Sequence, residues 1–174
     1  MLRGESLRHL VLFLIPFLSI FLESTLFGQF TLRGVGPDLM LIFVVFYAII
    51  YGSRKGFSYG FLCGLLEDLY AGRFIGMNAL SKGLTAYVIG KLEVNVFKDN
   101  LLVGFGGVVL ATVFNSILML LIALISMPHL VLDKSMLLDL SGQLVYNGLL
   151  SIPFYIWYYR SARGGWLKSS KYRG

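Results

Sequence analysis

The sequence predicts an all-α fold: one polytopic membrane bundle of six transmembrane helices built from residues 1–174, with 160–174 as a basic cytoplasmic tail. Three observations predict it. The 174 residues are 57% hydrophobic and only 14% charged, where a soluble domain carries about 25% charged residues. Mean hydropathy is +0.77, and no polar stretch between the apolar runs is long enough to bury a core of its own. The basic residues gather at the ends of the apolar runs and in the tail, a membrane-topology pattern. The net charge of +6 therefore does not point to nucleic acid.

The first span is expected over Leu10 to Phe30, about 20 mostly apolar residues, enough to cross a bilayer. Pro16 and Glu23 interrupt it and no A-x-A cleavage site follows, so it reads as an uncleaved span rather than a signal peptide. After a turn containing Arg33, Pro37 suits the first position of the second helix. Asp38 beside it favours the positive end of the helix dipole. The second span, Leu39 to Tyr51, is short, and Ser53, Arg54 and Lys55 read as a tight basic turn. The third span runs from Gly56 to Tyr70. Two short spans around a tight turn also fit a re-entrant hairpin.

Gly56, Gly60 and Gly64 recur every four residues and so line one face of the third span. In water each glycine would cost a helix roughly 1 kcal/mol against alanine. In lipid, small residues allow helix backbones to approach closely. The expected neighbour is the fourth span, Asn78 to Lys91, through Gly83 and Ala86. The polar loop 93–100 offers Asp99 or Asn100 as a cap for the fifth span, Leu101 to Met127, which Pro128 stops. Ser135 is the expected cap of the sixth span, Met136 to Tyr159. Trp157, Tyr158 and Tyr159 suit an interfacial aromatic belt, and the tail beyond them suits anionic headgroups.

With six spans, one side holds Arg3, Arg8, Arg54, Lys55, Lys91, Lys98 and five basic residues of the tail, eleven in all. The other side holds Arg33, Arg73, Lys82 and Lys134. The bias puts both termini in the cytoplasm. In that topology Glu23, Glu67, Asp68, Asn78, Lys82, Asp139 and Gln143 share the outer half of the membrane. Asp139, Gln143, Asn147 and Ser151 recur every four residues as one polar stripe. Ionisable groups at such depth usually face a bundle interior or a watery cavity. Lys82 is expected beside Asp68 or Glu67, with Asn78 bonding in the same cluster and Glu23 and Asp139 approaching from the first and sixth spans. Four acids against one base would favour a cationic or hydrogen-donating guest.

Signs of enzymatic chemistry are absent. Cys63 is alone in an apolar helix, which excludes a disulfide framework and a zinc site. His9 and His129 fall near opposite faces and cannot share a metal. There is no G-x-S-x-G, no H-E-x-x-H and no phosphate-cradling loop. Glu67 and Asp68 point about 100° apart on a helix and make no obvious dyad. No catalytic residue, cofactor or metal is expected.

The segment 36–80 resembles the MreD family of rod shape-determining proteins. It carries Pro37-Asp38-Leu39 at the start of the second span and Arg54-Lys55 before the glycine-rich third span. That span ends in Asp68 and passes through Gly72 to Gly76-Met77-Asn78-Ala79-Leu80. The resemblance implies a non-catalytic scaffold of the bacterial cell-elongation (rod) complex in the inner membrane, supporting cell shape and peptidoglycan synthesis. It implies MreC, a single-span protein, as partner. A class B penicillin-binding protein, RodA and MreB follow indirectly. It also implies a six-helix fold similar to the substrate-binding subunits of energy-coupling-factor vitamin transporters. Such a subunit is the alternative function, but the Ala-x-x-x-Ala docking face common in their first span is missing from Leu10 to Phe30.

Overall fold

The computed structural model describes residues 2–25, 35–72, 74–92, 101–126 and 134–164. These form six helices: α1 (Leu2–Thr25), α2 (Leu39–Tyr51), α3 (Ser53–Ala71), α4 (Met77–Leu92), α5 (Leu101–Ser126) and α6 (Lys134–Gly164). The expected features around Arg33, Asp99, Asn100, Pro128 and His129, and most of the basic tail, lie outside the described residues.

The bundle is organised around α2. Its sequence, LMLIFVVFYAIIY, is apolar on every side, and a helix apolar all round must be buried all round. Eleven of its residues are buried, and α2 packs against each of the other five helices. Phe43 and Phe46 meet Tyr155, Tyr158 and Phe154 of α6 edge-on or tilted, at 5.1–6.4 Å between ring centres. Tyr158 is buried in this cluster, while Trp157 stays exposed. Tyr158 is therefore a core residue and not part of an interfacial belt.

Three sequence expectations are corrected at helix ends. Ser53, Arg54 and Lys55 are not a turn but the first turn of α3. The whole reversal from α2 falls on Gly52 at φ 92°, a backbone angle that L side chains rarely adopt. Pro37 lies outside α2, and Asp38 is its N-cap. Lys134 opens α6, so Ser135 lies within the helix.

Among the described residues one helix, α5, is long and apolar enough to cross a membrane. His9–Thr25 and Leu39–Tyr51 are shorter apolar segments. At 1.5 Å per residue α2 is about 20 Å long, short of a hydrocarbon core of about 30 Å.

The α3–α4 seam is the tightest contact in the bundle. A Cβ on Gly64 would collide with the backbone of Asn78 and Ala79. One on Gly60 would lie 2.8 Å from the Lys82 carbonyl oxygen, and one on Gly56 2.7 Å from the Ala48 Cβ of α2. At the far end Gly90 of α4 presses on the Ser53 backbone in the same way. Gly83 does something else: it faces the ring of Phe57 and the Cβ of Phe61, with ordinary side-chain spacing.

Candidate functional site: a buried lysine beside an open cavity

The site forms where α3 ends and α4 begins. Asp68 follows Gly64 by four residues and so continues the glycine face toward α4. Its carboxylate closes the start of that helix. Oδ2 accepts from the backbone N–H of Gly76 (2.8 Å) and Ala79 (3.1 Å). Oδ1 accepts from the backbone N–H and the side-chain amide of Asn78, both at 3.0 Å. A helix start leaves N–H groups without partners and carries partial positive charge, so a buried carboxylate is stabilised there. Asp68 is thus occupied, and it is not the partner of Lys82.

Lys82 is fully buried one turn into α4. Its ammonium lies 2.5 Å from Asp38 Oδ2 and 3.1 Å from Glu67 Oε2. The Asp38 contact has hydrogen-bond geometry; the Glu67 contact is an ion pair without it. Asp38 also caps α2, accepting from the Leu41 N–H through Oδ1 at 2.7 Å. Glu23 of α1 supports the same helix start by accepting from the Met40 N–H at 3.2 Å. It lies within the field of Asp38, Lys82 and Glu67.

The network continues to the remaining helices. The Asp38 N–H donates to Asn147 Oδ1 of α6 at 2.8 Å. Asn147 Nδ2 donates to Thr112 Oγ1 of α5 at 3.1 Å, and Thr112 donates to the Val108 carbonyl at 2.8 Å. One connected set of polar contacts therefore touches all six helices. Three acids surround one lysine, and the α2 N-terminus adds about half a positive charge. The cluster therefore holds more acidic groups than basic ones.

Beside the cluster lies an open cavity of about 870 Å³. Asp38, Glu67, Asn78 and Asn115 supply its polar part, and Met119, Leu120, Ala123 and Leu140 are among its apolar walls. Asp139 and Gln143 line it from α6. The α6 stripe descends from an exposed Asp139 through a half-buried Gln143 to the buried Asn147 and Ser151. Asp139 thus stands at the cavity edge, not in the lysine cluster. Of the seven polar residues expected together, Glu23, Glu67 and Lys82 share one cluster. Asp68 caps α4 and holds Asn78 within its first turn, and Asn78, Asp139 and Gln143 line the cavity. Asp38 and Asn147 are central residues that the sequence expectation left outside the site.

A comparison with protein families matches residues 5–163 to rod shape-determining protein MreD. The chain belongs to the MreD family. No curated protein and no solved structure matches it. MreD membership gives the chain a role in rod-shape determination. The segment matched takes in all the residues of the lysine cluster and the cavity. Among the described residues no group of three metal-ligating side chains comes together.

Proposed function

We propose that this MreD-family chain is a non-catalytic, multi-pass scaffold of the cell-elongation complex. It binds an MreC-like single-span protein and through it supports peptidoglycan synthesis by a class B penicillin-binding protein and RodA, with MreB on the cytoplasmic face. The observation that carries the reading is the open cavity bordered by more acid than base. A basic residue flanking the partner's membrane span is the complement of that surface. Its ammonium or guanidinium would meet Glu67 and Asp139, while its apolar neighbours lie on Met119, Leu120 and Ala123.

The topology belongs to the same proposal. Both termini are cytoplasmic, and the cavity opens toward the outer leaflet. Reporter fusions at Gly174 and next to His129 should then read opposite sides of the membrane, and the same side for both would break it. The partner is tested by copurification. An MreC-like protein should accompany the chain, and Asp139→Asn, at an exposed residue of the cavity edge outside the lysine cluster, should weaken that association without unfolding the bundle. The second reading, a vitamin-binding transporter subunit of similar six-helix fold, is favoured by one observation: the cavity volume falls within the usual range for small ligands, about 300–1,000 Å³. A vitamin retained through purification, with no MreC-like protein, would select it.

A further inference from the structure

A second, smaller cavity of about 370 Å³ lies at the corner where α2 turns into α3. Tyr47, Arg54, Lys55, Ser58, Tyr59 and Leu62 line it. The lysine cluster and the partner proposal make no use of it. From this corner we infer that the chain holds one anionic phospholipid, its phosphate on Arg54 and Lys55 and its glycerol and upper acyl chain along Tyr47, Tyr59 and Leu62.

The charge comes first. Arg54 and Lys55 are both exposed. Neither has an ion-pair partner among the described residues, where the salt bridges are those of Lys82. They stand in the first turn of α3, which contains no acid. The free N–H groups of a helix start add positive potential at the same place. Arginine offers a planar fork suited to phosphate oxygens, and lysine adds a point charge.

Shape and polarity separate a lipid from a free anion. Tyr47 and Tyr59 stack with ring centres 4.4 Å apart, and Tyr47 lies 4.5 Å from Tyr51. The Tyr59 hydroxyl is held by the Leu12 carbonyl at 2.9 Å, which fixes the ring as a wall. Leu62, 58% exposed, follows Lys55 by seven residues, so the groove runs about 10 Å from its charged end to its apolar end. A free phosphate would fill the charged end alone. A headgroup phosphate with its glycerol covers both. In the proposed topology this corner faces the cytoplasmic leaflet, where a basic cluster meets anionic lipid. The inference rests on membrane insertion of the bundle and not on the identity of its protein partner.

The test is native mass spectrometry of the full chain released from nanodiscs containing equal parts phosphatidylglycerol and phosphatidylcholine. The wild-type chain should retain one phosphatidylglycerol. Arg54→Gln with Lys55→Gln should lower its affinity by roughly fivefold for each charge removed. Leu62→Asn should lower retention as well, because it removes apolar contact without adding charge and a free-anion site would not use Leu62. Unaltered retention in the Arg54/Lys55 double variant, equal retention of phosphatidylcholine, or displacement by millimolar inorganic phosphate would each overturn the assignment. A melting curve for every variant separates lost lipid from lost fold.

Discussion

The two sides of this bundle are built on opposite principles. On the α3–α4 side, missing side chains at Gly60, Gly64 and Gly90 let backbone rest on backbone, with no room for a methyl group. On the other side, the C-terminal half of α5 and the first turns of α6 border a cavity of about 870 Å³, although the same two helices pack closely further along, where Gly104 lies under the Tyr155 ring. Lys82 lies between the two. Its backbone carbonyl meets Gly60 in the closed seam, and its ammonium meets the carboxylates beside the open cavity. The difference teaches that the glycine seam acts as a mount. It fixes the height and rotation of α3 and α4, and so determines which side chains reach the cavity.

The largest effect should come from the residue shared by both sides. Lys82→Met leaves Asp38, Glu67 and Glu23 without their cation. Removing one partner of a buried pair costs about 3–5 kcal/mol. Thermal unfolding in detergent should show the variant strongly destabilised. Adding Asp38→Asn and Glu67→Leu should restore part of the loss, and no recovery would mean that the ammonium is not what holds the cluster.

Gly64→Leu comes next and strikes the seam alone. Overpacking costs about 1–3 kcal/mol or more, and here the obstacle is backbone that cannot rotate away. Gly83→Ala is the contrast. It meets the Phe57 ring and the Phe61 Cβ at ordinary spacing, and should leave the melting temperature almost unchanged. Equal loss in both variants would end the distinction between a backbone seam and a side-chain contact.

The sequence shows why part of this was legible and part was not. The four-residue glycine period is local, and it marks one face of α3 whatever that face meets. The same period continues to Asp68, which predicts that Asp68 points at the start of α4, whereas Glu67 is rotated toward the cavity side, where it meets Lys82. That signal was available, yet a reading by depth alone treated the two acids as equivalent partners for Lys82. Asp38 was missed because a helix-start acid has an adequate local role. Nothing local shows that α2, the apolar helix it caps, sits at the centre of the bundle. The polar stripe of α6 was visible as a period, but its descent from solvent to core depends on helix tilt. The cavity depends on how the end of α5 and the start of α6 sit over the starts of α2 and α4, which no residue pattern along any one helix encodes.

A smaller effect is expected at the cap. Asp68→Ala strips four hydrogen bonds from the start of α4, and capping losses run to about 2 kcal/mol. Hydrogen exchange should rise at Asn78 and Ala79 before it rises at Ala86. Uniform exchange along α4 would show that Asp68 does not act as a local cap.

The smallest stability effect should accompany the largest loss of association. Leu120→Trp adds bulk to the open side, where space exists, and should change stability by no more than about 0.5 kcal/mol, as for substitutions away from packed features. Copurification of an MreC-like partner should fall sharply. A variant that is equally stable and binds as before would place the partner elsewhere.

The central claim is that the open side receives the partner. A photo-crosslinking residue at Leu120, on the cavity wall, tests it against one at Leu69, exposed on the outer surface of α3. In native membranes the account predicts an adduct with a single-span MreC-like protein from Leu120 and none from Leu69. An adduct from Leu69 with none from Leu120 would contradict it.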